Sequence, residues 1–420
     1  MQVSIEINNS AQPLARFVTW AWSPCRTRVT DPVGIPGLTA QVTLMQVAVG
    51  ASGGTIRFAT TPTGAGSPTL NLTVPQNGAT VPFYVRGITA SVTNPGIHIT
   101  AQWRPTPTAP QTTVGTVPLM VRIRKNAATL SNAERDRLIA ALAQFNNQGL
   151  GRYADFSGTH VGGAASDEAH GRPGFLPWHR SFVLDLEREL QAIDPSVALP
   201  YWRFDQAAPS LFTPAYLGQG NGNLPVIFSP TNPLRFWKTG TVSGIVRNPL
   251  FNVSLAPPGP LTQAQALALG NPGALFANFR RLESIGPRDY HGRAHVSFSG
   301  PIGSISTAVR DPLFFLLHCN VDHAWAVWQK ANGRFDSAVA ASWDTNNPGN
   351  RIGHNLGDTM WPWNNVTTAP RPNFALGGGL AGSPCVTVPG PIPRVRDNFD
   401  YHGVISPANN MGFSYDDVPL

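Results

Sequence analysis

At 420 residues the chain exceeds what one hydrophobic core usually serves, so two domains are expected. Only 13% of its residues are charged, and the net charge of +7 comes from scattered arginines whose longest run is Arg122-Ile123-Arg124-Lys125, which argues against a nucleic-acid interface with its clustered basic residues. The sequence has no apolar run of membrane-spanning length, its N-terminus lacks the basic-then-apolar order of a signal peptide, and its 3 cysteines without a CxxC exclude a disulfide framework, leaving at most one bridge, Cys25 to Cys385. The expectation is no nucleic-acid and no membrane partner, in a cytoplasmic protein or one exported with a partner.

Residues 1–104 carry short β-branched runs, such as Gln2-Val3-Ser4-Ile5-Glu6-Ile7 and Ala40-Gln41-Val42-Thr43-Leu44-Met45-Gln46-Val47, broken by Gly, Pro, Ser and Asn. That spacing predicts an all-β sandwich or barrel, with no role assigned by its residues. Residues 105–119 follow as a Pro-rich linker, because Arg104-Pro105-Thr106-Pro107-Thr108-Ala109-Pro110 favours an extended spacer. Helix signals then dominate. Ser131-Asn132-Ala133-Glu134 is a capping box leading into Leu138, Ile139, Leu142 and Phe145. A second helix runs from about Trp178, with Phe182, Val183, Leu186, Leu190 and Ile193 on the face that also carries His179. A third spans roughly Asp311 to Gln329, with Asp311 as N-cap and Pro312 opening the first turn. Residues 330–420 are loop-rich and include Gly377-Gly378-Gly379. The fold class predicted for 120–420 is a mainly α catalytic domain, a helical bundle with long loops.

Six histidines carry the chemistry. His291-Gly292-Arg293-Ala294-His295 sets two imidazoles at i and i+4, on one helix face and within reach of one metal. His318 follows on the third helix. His160, His170 and His179 form a second set on separate elements, where burial without a partner would cost free energy. Three imidazoles per metal, with no thiolate or carboxylate, suit a borderline cation such as copper. His98, His323, His354 and His402 read as structural.

These residues resemble a known family. His170-x4-Phe175-Leu176-x-Trp178-His179-Arg180-x2-Val183-x3-Glu187 looks like the first copper signature of tyrosinases and polyphenol oxidases, and Asp311-Pro312-x-Phe314-Phe315-x2-His318-x3-Asp322 looks like the second. The likeness runs from Arg124-Lys125-Asn126 through Leu199-Pro200-Tyr201-Trp202 to a closing Gly412-Phe413-Ser414-Tyr415-Asp416, and does not include the N-terminal β region. It implies a type 3 dicopper domain over 120–420 that uses O₂ as co-substrate and takes a small phenolic substrate, with a copper-loading or export partner. His160, His170 and His179 would hold one copper and His291, His295 and His318 the other. Asp322 would accept a hydrogen bond from a ligand imidazole. Bulky residues between Val296 and Arg310 would gate the pocket.

Two departures from the family pattern bear on activity. Efficient phenol-hydroxylating members carry Asn after the first histidine of the second set, where this chain has Gly292; that Asn and a Glu eight residues before the histidine, here Glu283, order a water that deprotonates phenol. Oxidation of o-diphenols or o-aminophenols is therefore expected, with monophenol hydroxylation in doubt. The position two before His170 is Glu168 rather than cysteine, as in bacterial-type members, so no thioether forms there. The alternative is a hemocyanin-like O₂-binding protein with a blocked pocket.

Overall fold

The computed structural model describes residues 1–33, 38–51, 53–146, 151–160, 164–249, 259–284, 289–369, 371 and 378–420. Gly377, at the start of the triple-glycine run, lies outside them. The chain divides into two compact units: Met1–Ile123 with Ser383–Val388 and Tyr401–Leu420, and Arg124–Gly382 with Pro389–Asp400.

The first unit contains β1 (Gln2–Ile7), β2 (Phe17–Val18), β3 (Ser23–Asp31), β4 (Thr39–Ala48), β5 (Thr55–Ala59), β6 (Thr69–Pro75), β7 (Val81–Thr89), β8 (Ile97–Trp103) and β9 (Thr112–Val121). They form two sheets, ordered β1-β3-β7-β5 and β2-β9-β8-β4-β6. Pairing is antiparallel except that β2 runs parallel to β9. Alternate residues such as Ile5, Ile7, Val42, Leu44, Phe83, Val85, Ile97 and Ile99 turn inward into one shared core.

The expected linker is corrected here. Residues 112–121 pair with β8, Trp103 opposite Thr112, so the prolines at 105–110 sit in the loop of a β8–β9 hairpin. The alternating Thr and Val of Thr112-Thr113-Val114-Gly115-Thr116-Val117 favour a strand that buries Val114 and Val117. The closing aromatic motif also belongs to this unit: Trp20 Nε1 donates to the Tyr415 carbonyl at 2.7 Å, and Cys385 packs with Phe17 and Met120. Cys25, Cys319 and Cys385 are all buried free thiols, so the Cys25–Cys385 bridge does not form.

The helical bundle expected for the second unit is likewise corrected. The described residues hold eight α-helices: α1 (Asn132–Asn146), α2 (Tyr153–Thr159), α3 (Ala164–Ala169), α4 (Phe175–Ile193), α5 (Gln263–Ala268), α6 (Phe276–Phe279), α7 (His291–His295) and α8 (Leu313–Asn332). Only α1, α4 and α8 exceed seven residues. Single 3₁₀ turns, two-stranded ribbons and long loops fill the remainder, and the chain as a whole mixes strand and helix. Frequent Gly and Pro stop helices before they can extend across a bundle.

Helix α1 opens with the capping box as read: Ser131 Oγ accepts from Glu134 N at 3.3 Å, and the Glu134 carboxylate accepts from Ser131 N at 3.0 Å. Helix α8 is buried on nearly every face from Leu313 to Gln329, as the central helix of a core must be. The Asp311 carboxylate accepts from Leu313 N at 2.9 Å, and Gly333 ends the helix at φ 63°, a left-handed conformation natural to glycine. Helix α4 begins at Phe175, a turn before the expected start. It meets α8 through Phe182 and Phe315, whose rings lie 5.1 Å apart, and burial of each such ring contributes about 2 kcal/mol. These two helices fix the positions of His179 and His318.

Candidate metal centre

The six histidines converge as two groups of three, His160–His170–His179 and His291–His295–His318, with the ligand atoms of each group all within 4.8 Å of one another. The groups are adjacent: the His179 and His318 rings stack at 4.1 Å with 9° between their planes. Helix α2 ends at His160, the loop after α3 carries His170, α4 supplies His179, α7 both its terminal residues, and α8 His318. Phe175 approaches His179 and His291 at 4.7 and 4.9 Å, while Phe314 approaches His160 and His318 at 4.9 and 4.2 Å. Two phenylalanines thus wedge the imidazoles into fixed orientations.

Hydrogen bonds select the tautomers. Nδ1 lies within bonding distance of a main-chain carbonyl in four of the six: His160 on Ile305 and His179 on Phe175 at 2.9 Å, His295 on Ile302 at 2.8 Å, and His291 on Glu283 at 3.3 Å. A carbonyl only accepts, so Nδ1 carries the proton and Nε2 presents its lone pair. The Nε2 atoms of His160 and His179 are buried with no hydrogen-bond partner. Those of His291, His295 and His318 face one another at 3.0 to 3.3 Å. Lone pairs so aimed repel one another unless a cation lies between them, and the separations fit imidazoles sharing one ion at metal–nitrogen bonds of about 2 Å. Burial holds the pKa values of His160, His179, His291 and His318 well below the ordinary histidine value and that of His295 at about 4, the neighbouring imidazoles adding to the effect. All five are therefore neutral near pH 7, the form that binds metal.

A cavity of about 390 Å³ opens beside the histidines. Its lining includes His160, His170, His291 and His295, together with Glu283 and Gly292. Glu283 accepts from Gly171 N at 2.6 Å, and burial pushes its pKa up to about 8. Gly292 contributes no side chain, and a Cβ built there would lie 3.0 Å from both carboxylate oxygens of Asp289. From the loop expected to gate the site, Val296, Ile305 and Ala308 reach the cavity, whereas Phe298 turns away to pack on Trp202 and Phe212. No aromatic side chain other than histidine is among the described lining residues.

The Asp322 carboxylate lies against two buried arginines. It faces Arg180 Nε at 2.5 Å and Arg124 Nη1 at 3.2 Å, while His318 Nδ1 has no hydrogen-bond partner. Arg124 also binds Glu187 at 2.6 Å, and Arg180 lies 3.8 Å over the Trp325 ring. Two buried guanidiniums attract the carboxylate more strongly than a neutral imidazole can. Both arginines stand inside or beside the motifs, yet their partners are distant in sequence and no local pattern marks them as supporting the site. The remaining histidines are elsewhere: His323 stacks on Tyr201 at 4.1 Å, and His354 Nδ1 accepts from Gly174 N.

A family model for the common central domain of tyrosinase matches residues 150–331. The chain is 32% identical over 270 residues to a tyrosinase from Streptomyces glaucescens, covering 59% of this chain and 94% of that protein. The chain belongs to the tyrosinase family. Grixazone synthase from Streptomyces griseus is 30% identical over 266 residues, covering 50% of this chain and 85% of that one. A functional unit of octopus hemocyanin aligns at 22% identity with a TM-score of 0.45, over 71% of this chain and 69% of that one. As a tyrosinase-family member the protein is a type 3 copper polyphenol oxidase, and the two histidine groups fit its pair of copper ions. Among the described residues, no helix is long and apolar enough to cross a membrane.

Proposed function

We propose that this protein oxidises o-diphenols and o-aminophenols to quinones with O₂, and hydroxylates monophenols weakly. Two catechols give up four electrons and four protons, and one O₂ takes them up as two water molecules. Copper ions held by His160, His170 and His179 and by His291, His295 and His318 would supply the electron-accepting, O₂-binding chemistry. The chain's own residues do the rest. Main-chain carbonyls fix the imidazoles, Phe175 and Phe314 pack against them, and Glu283, whose pKa of about 8 keeps it largely protonated near pH 7, becomes a base for the hydroxyl protons of a bound ring as the pH rises toward that value. The cavity beside the histidines carries this reading. Its 390 Å³ falls in the range of small-molecule sites, roughly 300 to 1,000 Å³. An O₂-binding protein with a blocked pocket would instead place a bulky side chain there.

The test is quinone formation by the copper-loaded protein from a catechol, an o-aminophenol and a monophenol side by side. The first two are expected to react at least about tenfold faster than the third, a difference of about 1.4 kcal/mol in barrier. Copper uptake without turnover of any of them would overturn the proposal.

Gly292 supplies a second expected result. Gly292→Asn should raise the monophenol-to-catechol rate ratio severalfold, because an amide there can orient a water against Glu283. The added Cβ must displace the Asp289 carboxylate, so the ratio is best read with uncharged phenols. A ratio equal to that of the parent protein would remove Gly292 from the account.

A further inference from the structure

The cavity beside the histidines is asymmetric in charge. Two carboxylates, Glu283 and Asp289, line it, and among the described lining residues there is no Lys or Arg. Val296, Ile305 and Ala308 supply apolar surface, with Val296 and Ile305 partly open to solvent. The two acids differ in setting. Glu283 is buried and turned to Gly171 N, whereas Asp289 is half-buried and accepts from Arg293 N at 2.6 Å. That main-chain bond fixes the Asp289 carboxylate at the start of α7, two residues before His291. The absence of a side chain at Gly292 leaves the room it occupies, since a Cβ there would meet both of its oxygens at 3.0 Å. Arg293 lies within electrostatic reach of Asp289 but does not line the cavity.

We propose that Asp289 is a specificity-determining residue that makes the site prefer o-diphenols carrying an ammonium group on a short side chain over those carrying a carboxylate. The inference rests on the oxidase reading given above. A ring seated toward the histidines directs its side chain along the cavity wall. There an ammonium donates a charge-assisted hydrogen bond to a carboxylate already held in place, and a carboxylate meets like charge in a partly desolvated setting. A fixed charge of this kind acts on selectivity more than on the rate of the chemistry.

The test compares three catechols with two-carbon side chains ending in an ammonium, a hydroxyl or a carboxylate, assayed with the copper-loaded protein. The ratio of kcat/KM for the ammonium over the carboxylate compound is expected to be at least about tenfold, and to fall about tenfold in Asp289→Asn, which keeps an acceptor for Arg293 N but not the charge. A purely structural role would lower all three rates by one factor and leave the ratio intact, which overturns the proposal. Binding of phenethylamine and of phenylpropanoate to the copper-free protein supplies a readout independent of turnover. Preference for the amine, lost in Asp289→Asn, together with no oxidation of any catechol would defeat the oxidase reading and leave the role of Asp289 standing. Turnover without any preference would do the reverse.

Discussion

His318→Ala is expected to bring catechol oxidation down to background and to cut bound copper about in half. The reason is geometric. The Nε2 of His318 lies 3.3 Å from that of His291 and 3.2 Å from that of His295, so its loss leaves two imidazoles where three converged. The other group, His160, His170 and His179, keeps its own three nitrogens and its carbonyl-anchored tautomers. The halves are still coupled, because His318 stacks on His179 at 4.1 Å and packs against the tilted Phe314 ring at 4.2 Å. Removing the ring opens a void between α4 and α8, with a stability loss of about 2 to 4 kcal/mol typical of a large-to-small change in a core. Metal analysis therefore has to accompany the assay: one copper per chain in folded protein, with no quinone formed, is the expected pair of results. Two coppers per chain, or retained turnover, would remove His318 from the ligand set. His318→Gln fills most of the void and separates lost packing from lost ligation.

The sequence carried the metal centre and hid much of what supports it. Ligation demands one residue type at restricted spacings, so His291 and His295 on one turn and His318 and His179 on apolar helix faces were legible without coordinates. The capping box before α1 and the N-cap at Asp311 were legible for a related reason, since each is completed within a few residues. The support is built from distant partners. Arg124 reads as one member of a short basic run, yet it meets Glu187 and Asp322 across 63 and 198 positions. Nothing local marks it as buried. The same holds for the closing aromatic motif, whose Tyr415 carbonyl takes a hydrogen bond from Trp20 across 395 positions and so joins the β unit. Gly292 showed only an amide that was missing, whereas the structure shows a carboxylate in the vacated space. The overestimate of helix came from extending three strong amphipathic patterns to a whole domain. Between those patterns Gly and Pro limit helices to one or two turns, and a one-turn helix such as α6 has too little periodicity to be read.

The buried charge network behind the histidines yields the largest expected loss of stability. Asp322→Ala should lower the stability of the second unit by about 3 to 5 kcal/mol, the range for breaking a buried ion pair by removing one partner. Arg180 and Arg124, both fully buried, would be left facing one another with Glu187 as the remaining carboxylate of the group. Arg180 retains the Asn398 carbonyl at 2.6 Å and the Trp325 ring, which keeps the loss short of that for an isolated charge. In a unit of this size the change corresponds to roughly 10 °C in the melting transition assigned to it. The network also connects stability to chemistry, because Arg180 follows His179 on α4 and Asp322 stands one turn beyond His318 on α8. Their ion pair clamps the two helices at the level where the imidazoles stack. Asp322→Asn preserves size and an acceptor oxygen but halves the charge compensation, and should fall between the parent and the alanine variant in both melting temperature and copper retention. Equal melting temperatures for all three proteins would mean that the clamp contributes nothing, and that the stacking of His179 on His318 is fixed by the aromatic packing of Phe182, Phe314 and Phe315 alone.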